Sequence, residues 1–308
     1  MQQIYENFAE IADNFDNILV DAFGVFWNGK TFYDGSREIL AEQVKKGNRV
    51  IVVSNTPELS VDAIESYAKK GMIKGEHYTN FVTSGDAIHN ALLNDEIDVK
   101  GNKIYILGAK NVKIFNDTKY QIVNNPADAD AFYTGIPQFT DEEAEEHSLY
   151  ADSLYRSPEG LYDSTAIEPF IPELKKLYQL GLTAINANPD YRANEGDEYG
   201  EIHAVIRPGL IAETYRNMGG KVIEFGKPHK NIYEYAFNSL NFTPDLSTAM
   251  IGDTYRTDIK GAQNVGINGV WCVETGITAK ELQEGKTLEE ISGGNFENVY
   301  LIKALACK

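Results

Sequence analysis

Short, unbroken apolar runs that stop on polar chemistry constrain this chain more than any other feature. Ile18-Leu-Val20 stops at Asp21, Val50-Ile-Val-Val53 at Ser54-Asn55, and Ala249-Met-Ile-Gly252 at Asp253. A further run, 222–226, stops at Lys227-Pro228. A strand with one wet face alternates apolar and polar residues. A run without alternation is covered on both faces, as strands of a parallel sheet are. Parallel neighbours need crossover connections, usually helices. Helical stretches are predicted at 37–46, with Ser36 as a cap and Gly47 after it, and at 60–70, stopped by Gly71. The predicted fold class is therefore α/β, a Rossmann-like parallel sheet with helices on both faces.

The rhythm occurs in two blocks. In the first, strands at 17–21, 49–53 and 81–84 alternate with helices. In the second, strands at 221–225, 248–251 and 269–273 alternate with helices at 230–238 and 258–265. The stretch between carries its own α/β signals at 103–107, 129–134, 173–180 and 182–186, and a solvated helix starting at Asp141-Glu-Glu-Ala-Glu-Glu146. A chain of 308 residues exceeds what one hydrophobic core usually organises. The expected organisation is a core from 1–85 and 222–308, with a second α/β domain, 86–221, inserted into it. Residues 4–15 read as an amphipathic helix, because Ile4, Phe8, Ile11 and Phe15 recur at spacings of three and four.

Charge excludes whole classes of partner. With 28 Lys+Arg against 46 Asp+Glu, the formal net charge is −18. Nucleic-acid backbones and anionic membranes are met by basic surfaces, so neither nucleic acid nor membrane is an expected partner. No apolar run approaches the ~20 residues of a bilayer span. The first residues carry no basic segment ahead of an apolar one, so no signal peptide is expected. Cys272 and Cys307 make neither a disulfide framework nor a zinc site; a buried Cys272 and a cytoplasmic location are the expectations.

The polar residues at the strand ends carry the chemistry. Ligands of open parallel sheets bind beyond the carboxyl ends of the strands. Asp21, Asp253 and Asp258 would meet there, and grouped carboxylates suit Mg²⁺, a hard cation that prefers oxygen ligands and keeps substrate phosphate in its shell. A lysine and a hydroxyl at neighbouring ends can position a phosphate. A carboxylate can also be the nucleophile. The anionic ligand implied by this set contrasts with the overall charge.

In order, Asp21-Ala-Phe-Gly-Val25, Val53-Ser-Asn-Thr-Pro57, Gly226-Lys-Pro-His229 and Gly252-Asp-Thr-Tyr-Arg-Thr-Asp258 resemble the four motifs of the haloacid dehalogenase (HAD) superfamily. The long insertion, Asn186-Ala-Asn-Pro-Asp190 and Arg207-Pro-Gly209 are similar to subclass IIA, the NagD and 4-nitrophenylphosphatase kind, with a C2-type α/β cap; the opening segment resembles a branch of predicted sugar phosphatases. The resemblance implies a Mg²⁺-dependent phosphatase acting on a small phosphorylated metabolite through an aspartyl-phosphate. Asp21 would be nucleophile and metal ligand. The Phe23 backbone carbonyl, Asp253 and Asp258 would complete the metal site. Ser54 and Asn55 would bind the phosphoryl oxygens, and Lys227 would offset the charge. Asn188 and Asp190 would face the substrate from the cap. Caps of this subclass often mediate dimers, so a homodimer is compatible with it.

One position departs from the pattern. Most phosphatases of the superfamily carry a second Asp two residues after the nucleophile, as general acid and base; here it is Phe23. Phenylalanine cannot move a proton. Three readings stay open: a phosphatase using another acid or water, a phosphatase slow or restricted to good leaving groups, and a catalytically weak phosphometabolite-binding or regulatory protein. His229 and His203 are further acid–base candidates, and Arg192 and Arg207 are candidates for a second anionic group, each set against an ordinary structural role. Trp27 and Phe26 read as packing, with an entrance to the site as the alternative.

Overall fold

The computed structural model describes residues 3–109, 112–196 and 201–306; Cys307 lies outside them. The chain divides into two compact units. One comprises Met1–Ser54, Leu59–Thr83 and Gly226–Lys308, the other Asn55–Glu58 and Ser84–Phe225.

The first unit is built on a seven-stranded sheet. Its order is Ile4–Asn7, Val299–Ala304, Asn268–Cys272, Thr248–Gly252, Asn17–Val20, Arg49–Ser54, Asn80–Thr83, with every pairing parallel. The central strands are buried along almost their whole length, as their unbroken apolar runs require. Alternate residues feed two cores. Ile18, Val20, Val50, Val52, Ala249 and Ile251 pack in one, with Phe8, Phe15 and Phe26. Trp271 and Leu301 pack in the other, with Tyr255 and Ile259. Each such side chain removed from water contributes about 1.5–3 kcal/mol.

Register decides where the site lies. Val20 pairs with both Val52 and Ile251. Asp21, Ser54 and Asp253 therefore emerge together, one or two residues further on, at one edge of the sheet. Chain order also reverses here: Asn17–Val20 is followed by Arg49–Ser54 on one side, while its other neighbour, Thr248–Gly252, comes much later. Crevices form beyond the carboxyl ends at such a reversal.

The expected helix over 4–15 is replaced by an edge strand and two short 3₁₀ turns. Ile4–Asn7 pairs with Val299–Ala304, and Phe8–Glu10 and Ala12–Asn14 follow as single turns. The apolar spacing is genuine, since Phe8, Ile11 and Phe15 are all buried. A continuous helix is broken because the Asn7 side chain caps the Ala9 amide, restarting the chain after the strand.

The second unit holds a five-stranded parallel sheet in the order Val222–Glu224, Thr183–Asn186, Ala131–Thr134, Lys103–Leu107, Gln121–Val123. Phe132, Ala184 and the helix residues Leu174, Leu177, Ile211 and Tyr215 form its core. A three-stranded antiparallel sheet (Gln138–Phe139, Tyr162–Ser164, Leu154–Arg156) and a hairpin of Arg192–Gly196 with Ile202–Ile206 complete it. The strand expected to reopen the first sheet, Val222–Glu224, pairs here instead. Ala184 and Ile185 sit opposite Val222 and Ile223, and Asn186 Nδ2 donates to Glu224 Oε1 at 3.1 Å. The acidic helix Asp141–Glu146 buries no residue and starts on a Thr140–Glu143 capping box.

Candidate active site

Asp21 follows the central strand directly, and its amide donates to the Ile251 carbonyl at 2.9 Å, which keeps it in register with the neighbouring strand. Lys227, 2% exposed, reaches it from the other end of the sequence: Lys227 Nζ lies 2.5 Å from Asp21 Oδ1 and 2.8 Å from Asp258 Oδ1. Asp21, Asp253 and Asp258 each offer a carboxylate oxygen within 4.8 Å of the others. Three carboxylates thus share one site while the Lys227 ammonium pairs with two of them, and Asp253 and Asp258 are almost wholly buried. Burying ionised groups without balancing charge is costly. The cluster is short of positive charge.

Protonation equilibria in the cluster follow from the same imbalance. The Asp253 carboxyl is pushed well above the usual carboxylate range by burial first, then by the charges of Asp258 and Asp21. For Lys227 burial favours the neutral form, but Asp21 and Asp258 outweigh it and hold the ammonium charged to a higher pH than usual.

Local structure aims each carboxylate. Asp258 lies in a single π-helical turn, Tyr255–Ile259, ahead of the helix Lys260–Val265. Its Oδ2 accepts from the Thr254 amide at 3.1 Å. A Cβ at Gly252 would come within 2.1 Å of the Asp258 side chain, so only glycine lets the two segments meet. Asp253 is confined similarly. A Cβ at Gly24 would lie 2.4 Å from its carboxyl carbon and one at Gly276 2.0 Å from its Oδ2, and both glycines have positive φ. The Ile277 amide donates to Asp253 Oδ2 at 2.6 Å.

Phe23 sits in the tight turn after Asp21, where the Trp27 amide donates to the Ala22 carbonyl at 2.9 Å. The residue is 43% exposed. Phe26 and Trp27 instead turn inward and pack with Phe32 and Tyr67. Ser54 ends its strand and is buried in the first unit. Asn55 belongs to the second unit, where it joins the two predicted cap residues in one hydrogen-bonded chain. Asn55 Nδ2 donates to Asp190 Oδ1 at 3.0 Å, the Asp190 amide to Asn188 Oδ1 at 3.0 Å, and the Asn188 amide to Asn186 Oδ1 at 3.1 Å.

Among the remaining candidates, Arg207 pairs with Glu195, and Arg192 donates to the Thr165 and Ala204 carbonyls. His203 stacks on Tyr155 with ring centroids 4.2 Å apart. His229 occupies the N-cap position of the helix Lys230–Ser239. Gly24, Gly252, Gly276, Ile277 and Thr254 escape a reading of side-chain chemistry, because they act through backbone amides or through having no side chain. For Gly24, Gly252 and Thr254 the one sequence signal is their place within the acidic motifs; Gly276 and Ile277 lie outside them and carry no such signal.

Two family models match the chain: haloacid dehalogenase-like hydrolase over residues 18–118 and HAD-hydrolase-like over 224–292. A haloacid dehalogenase-like hydrolase of Brucella suis has a similar structure, with a TM-score of 0.75 at 22% identity over 98% of this chain and 100% of that one. The 4-nitrophenylphosphatase of Thermotoga maritima aligns with a TM-score of 0.60 at 21% identity, over 90% of this chain and 92% of its own. A glycerol phosphate phosphatase of Mycobacterium tuberculosis, solved with magnesium, aligns with a TM-score of 0.60 at 17% identity, over 92% and 74%. A Caenorhabditis elegans protein named as a NipSnap protein is 24% identical over 263 residues, 81% of this chain; the chain spans only 46% of that protein's length. The ordered motifs, the parallel sheet and the two family matches agree: the chain belongs to the haloacid dehalogenase-like hydrolases and has the fold of their NagD- and 4-nitrophenylphosphatase-like, subclass IIA members.

Proposed function

We propose that the protein is a Mg²⁺-dependent phosphatase that hydrolyses a small phosphorylated metabolite, a sugar phosphate or similar phosphomonoester, through an aspartyl-phosphate on Asp21. The observation that carries this reading is the charge imbalance at the sheet edge: three carboxylates, two of them buried, against Lys227. The oxygen-only donor set fits Mg²⁺. Asp21, Asp253, Asp258 and the Phe23 carbonyl would hold the ion, which when bound supplies charge neutralisation to the phosphoryl group.

The chain's own residues do the rest. A carboxylate attacks an anionic phosphoryl group only where cations cancel the repulsion; two unit charges at 4 Å interact by about 4 kcal/mol at an effective dielectric of 20. Lys227, fixed at 2.5 Å from Asp21, supplies that cancellation beside the nucleophile. Ser54 and the Asn55 amide would hold the phosphoryl oxygens, with Asn188 and Asp190 as substrate contacts. The M. tuberculosis neighbour is a glycerol phosphate phosphatase solved with magnesium, which supports the substrate class and the metal. A cytoplasmic setting and a homodimer belong to the same reading.

The test is turnover of p-nitrophenyl phosphate. Activity should require added Mg²⁺ and vanish in Asp21→Asn, with a phosphorylated protein trapped by acid quench in the wild type only. A half-exposed Phe23 beside the nucleophile favours one second reading, a phosphometabolite-binding protein with weak catalysis. Retained phosphate-ester binding with no turnover of activated or unactivated esters would select it.

A further inference from the structure

Asp253 is held from behind by a segment that none of the acidic motifs includes. The helix Gly276–Gln283 begins at this carboxylate. Its N-cap residue, Thr275, makes no capping hydrogen bond with its side chain. Asp253 takes that task from a neighbouring strand end: the amide of Ile277, at the second helical position, donates to Asp253 Oδ2 at 2.6 Å, the bond an N-cap side chain would ordinarily accept. The helix's positive end favours a negative charge at this point.

A second set of bonds fixes the Asp253 backbone. Thr278 Oγ1 donates to the Asp253 carbonyl at 2.5 Å. The Trp271 indole Nε1–H donates to Thr278 Oγ1 at 2.9 Å and reaches the Asp253 carbonyl at 3.4 Å. Thr278 and Trp271 are fully buried, so these bonds are shielded from water. The Thr278 hydroxyl uses both its accepting and its donating capacity, and a methyl group could do neither.

We propose that Thr278 is a positioning residue for Asp253. Its hydroxyl locks the helix start to the strand end, so that the Ile277 amide occupies one carboxylate oxygen and leaves the other for the cation shared with Asp21 and Asp258. This rests on the reading of those three carboxylates as a Mg²⁺ site. The helix is then part of the metal site although it supplies no ligand. Groups that orient a ligand in this way usually change metal affinity about 10–100-fold when removed.

Titrating Mg²⁺ alone into the full chain by calorimetry tests it. Thr278→Val keeps the shape and removes the hydroxyl; its Mg²⁺ affinity should fall about tenfold or more. Thr278→Ser should restore the wild-type value. Gly276→Ala, at a half-exposed position, pushes a methyl group toward Asp253 Oδ2 and should weaken Mg²⁺ binding without touching Thr278. In turnover the Thr278→Val loss should appear as a higher Mg²⁺ requirement, with kcat at saturating Mg²⁺ nearly unchanged. Wild-type affinity in Thr278→Val overturns the inference, as does a Thr278→Ser loss equal to that of Thr278→Val. If Thr278→Val does not fold, Gly276→Ala and Thr278→Ser decide between these outcomes. A wild-type chain that binds no Mg²⁺ overturns the metal reading and the inference together, a result separable from equal binding by all variants.

Discussion

At the scale of single residues, Phe23 is the position where the chain's chemistry is most sharply set. It stands two residues after Asp21 and is 43% exposed. An exposed aromatic can be replaced by a carboxylate without a large desolvation cost, because the new group keeps its water. General acid catalysis contributes about 10²–10⁴-fold when the leaving group is a poor one. Phe23→Asp should therefore raise kcat for an alkyl phosphate such as glycerol phosphate by about tenfold or more. It should change p-nitrophenyl phosphate turnover much less, since that phenolate leaves without help. Equal effects on the two esters would mean that proton transfer is not what limits this enzyme. The neighbouring Gly24 sets the geometric limit on such substitutions: with φ of 80° and Asp253 directly over it, it leaves no room for a side chain of its own.

At the scale of elements, legibility in the sequence followed burial. The central strands were readable because strands covered on both faces must be apolar throughout, and the strand Lys103–Leu107 in the second unit was readable to the residue. The edge strand Ile4–Asn7 was not, because it alternates exposed and half-buried residues; 222–224 was legible as a strand, but its half-burial did not say which sheet it joins. The motifs named Asp21, Lys227, Asp253 and Asp258, which the fold brings together. They could not name Ile277 or Thr278, whose contribution is a backbone amide and one hydroxyl. A misfit within one element gives a further prediction. In the strand Tyr162–Ser164, Asp163 is buried, and its neighbours Gln138, Tyr155 and Arg207 do not offset that burial. Burial, above all, raises the Asp163 pKa. An acid whose folded pKa lies above its unfolded value of about 3.9 holds its proton more tightly when folded. Its ionisation then costs stability above that unfolded value, and the cost disappears as pH falls through the folded pKa to below it. Asp163→Asn should thus stabilise the protein at neutral pH by about 1–3 kcal/mol. The gain should shrink on acidification, as read from melting curves across pH. A less stable variant at neutral pH would show that the carboxylate is satisfied as an anion.

At the scale of the whole molecule, the −18 charge and the anionic ligand act over different distances. The acidic excess acts through the far field, which salt screens: the Debye length is about 30 Å at 0.01 M ionic strength and about 8 Å at physiological strength. Lys227 and a bound cation act within a few ångströms, in a buried cluster that salt screens poorly. An approaching phosphate ester therefore meets repulsion first and attraction only at the end. Raising ionic strength should remove the repulsion and spare the attraction. In KCl titrations at fixed free Mg²⁺, kcat/KM for p-nitrophenyl phosphate should rise about 2–10-fold between low and physiological ionic strength, because the electrostatic term is in the encounter rate. kcat should stay constant, since it reports events after the ester has entered. The inhibition constant for inorganic phosphate should fall in parallel, as the same field opposes its entry. A kcat/KM that falls with salt would show that the local cations dominate the approach as well as the bound state, and the acidic surface would then have no part in substrate selection.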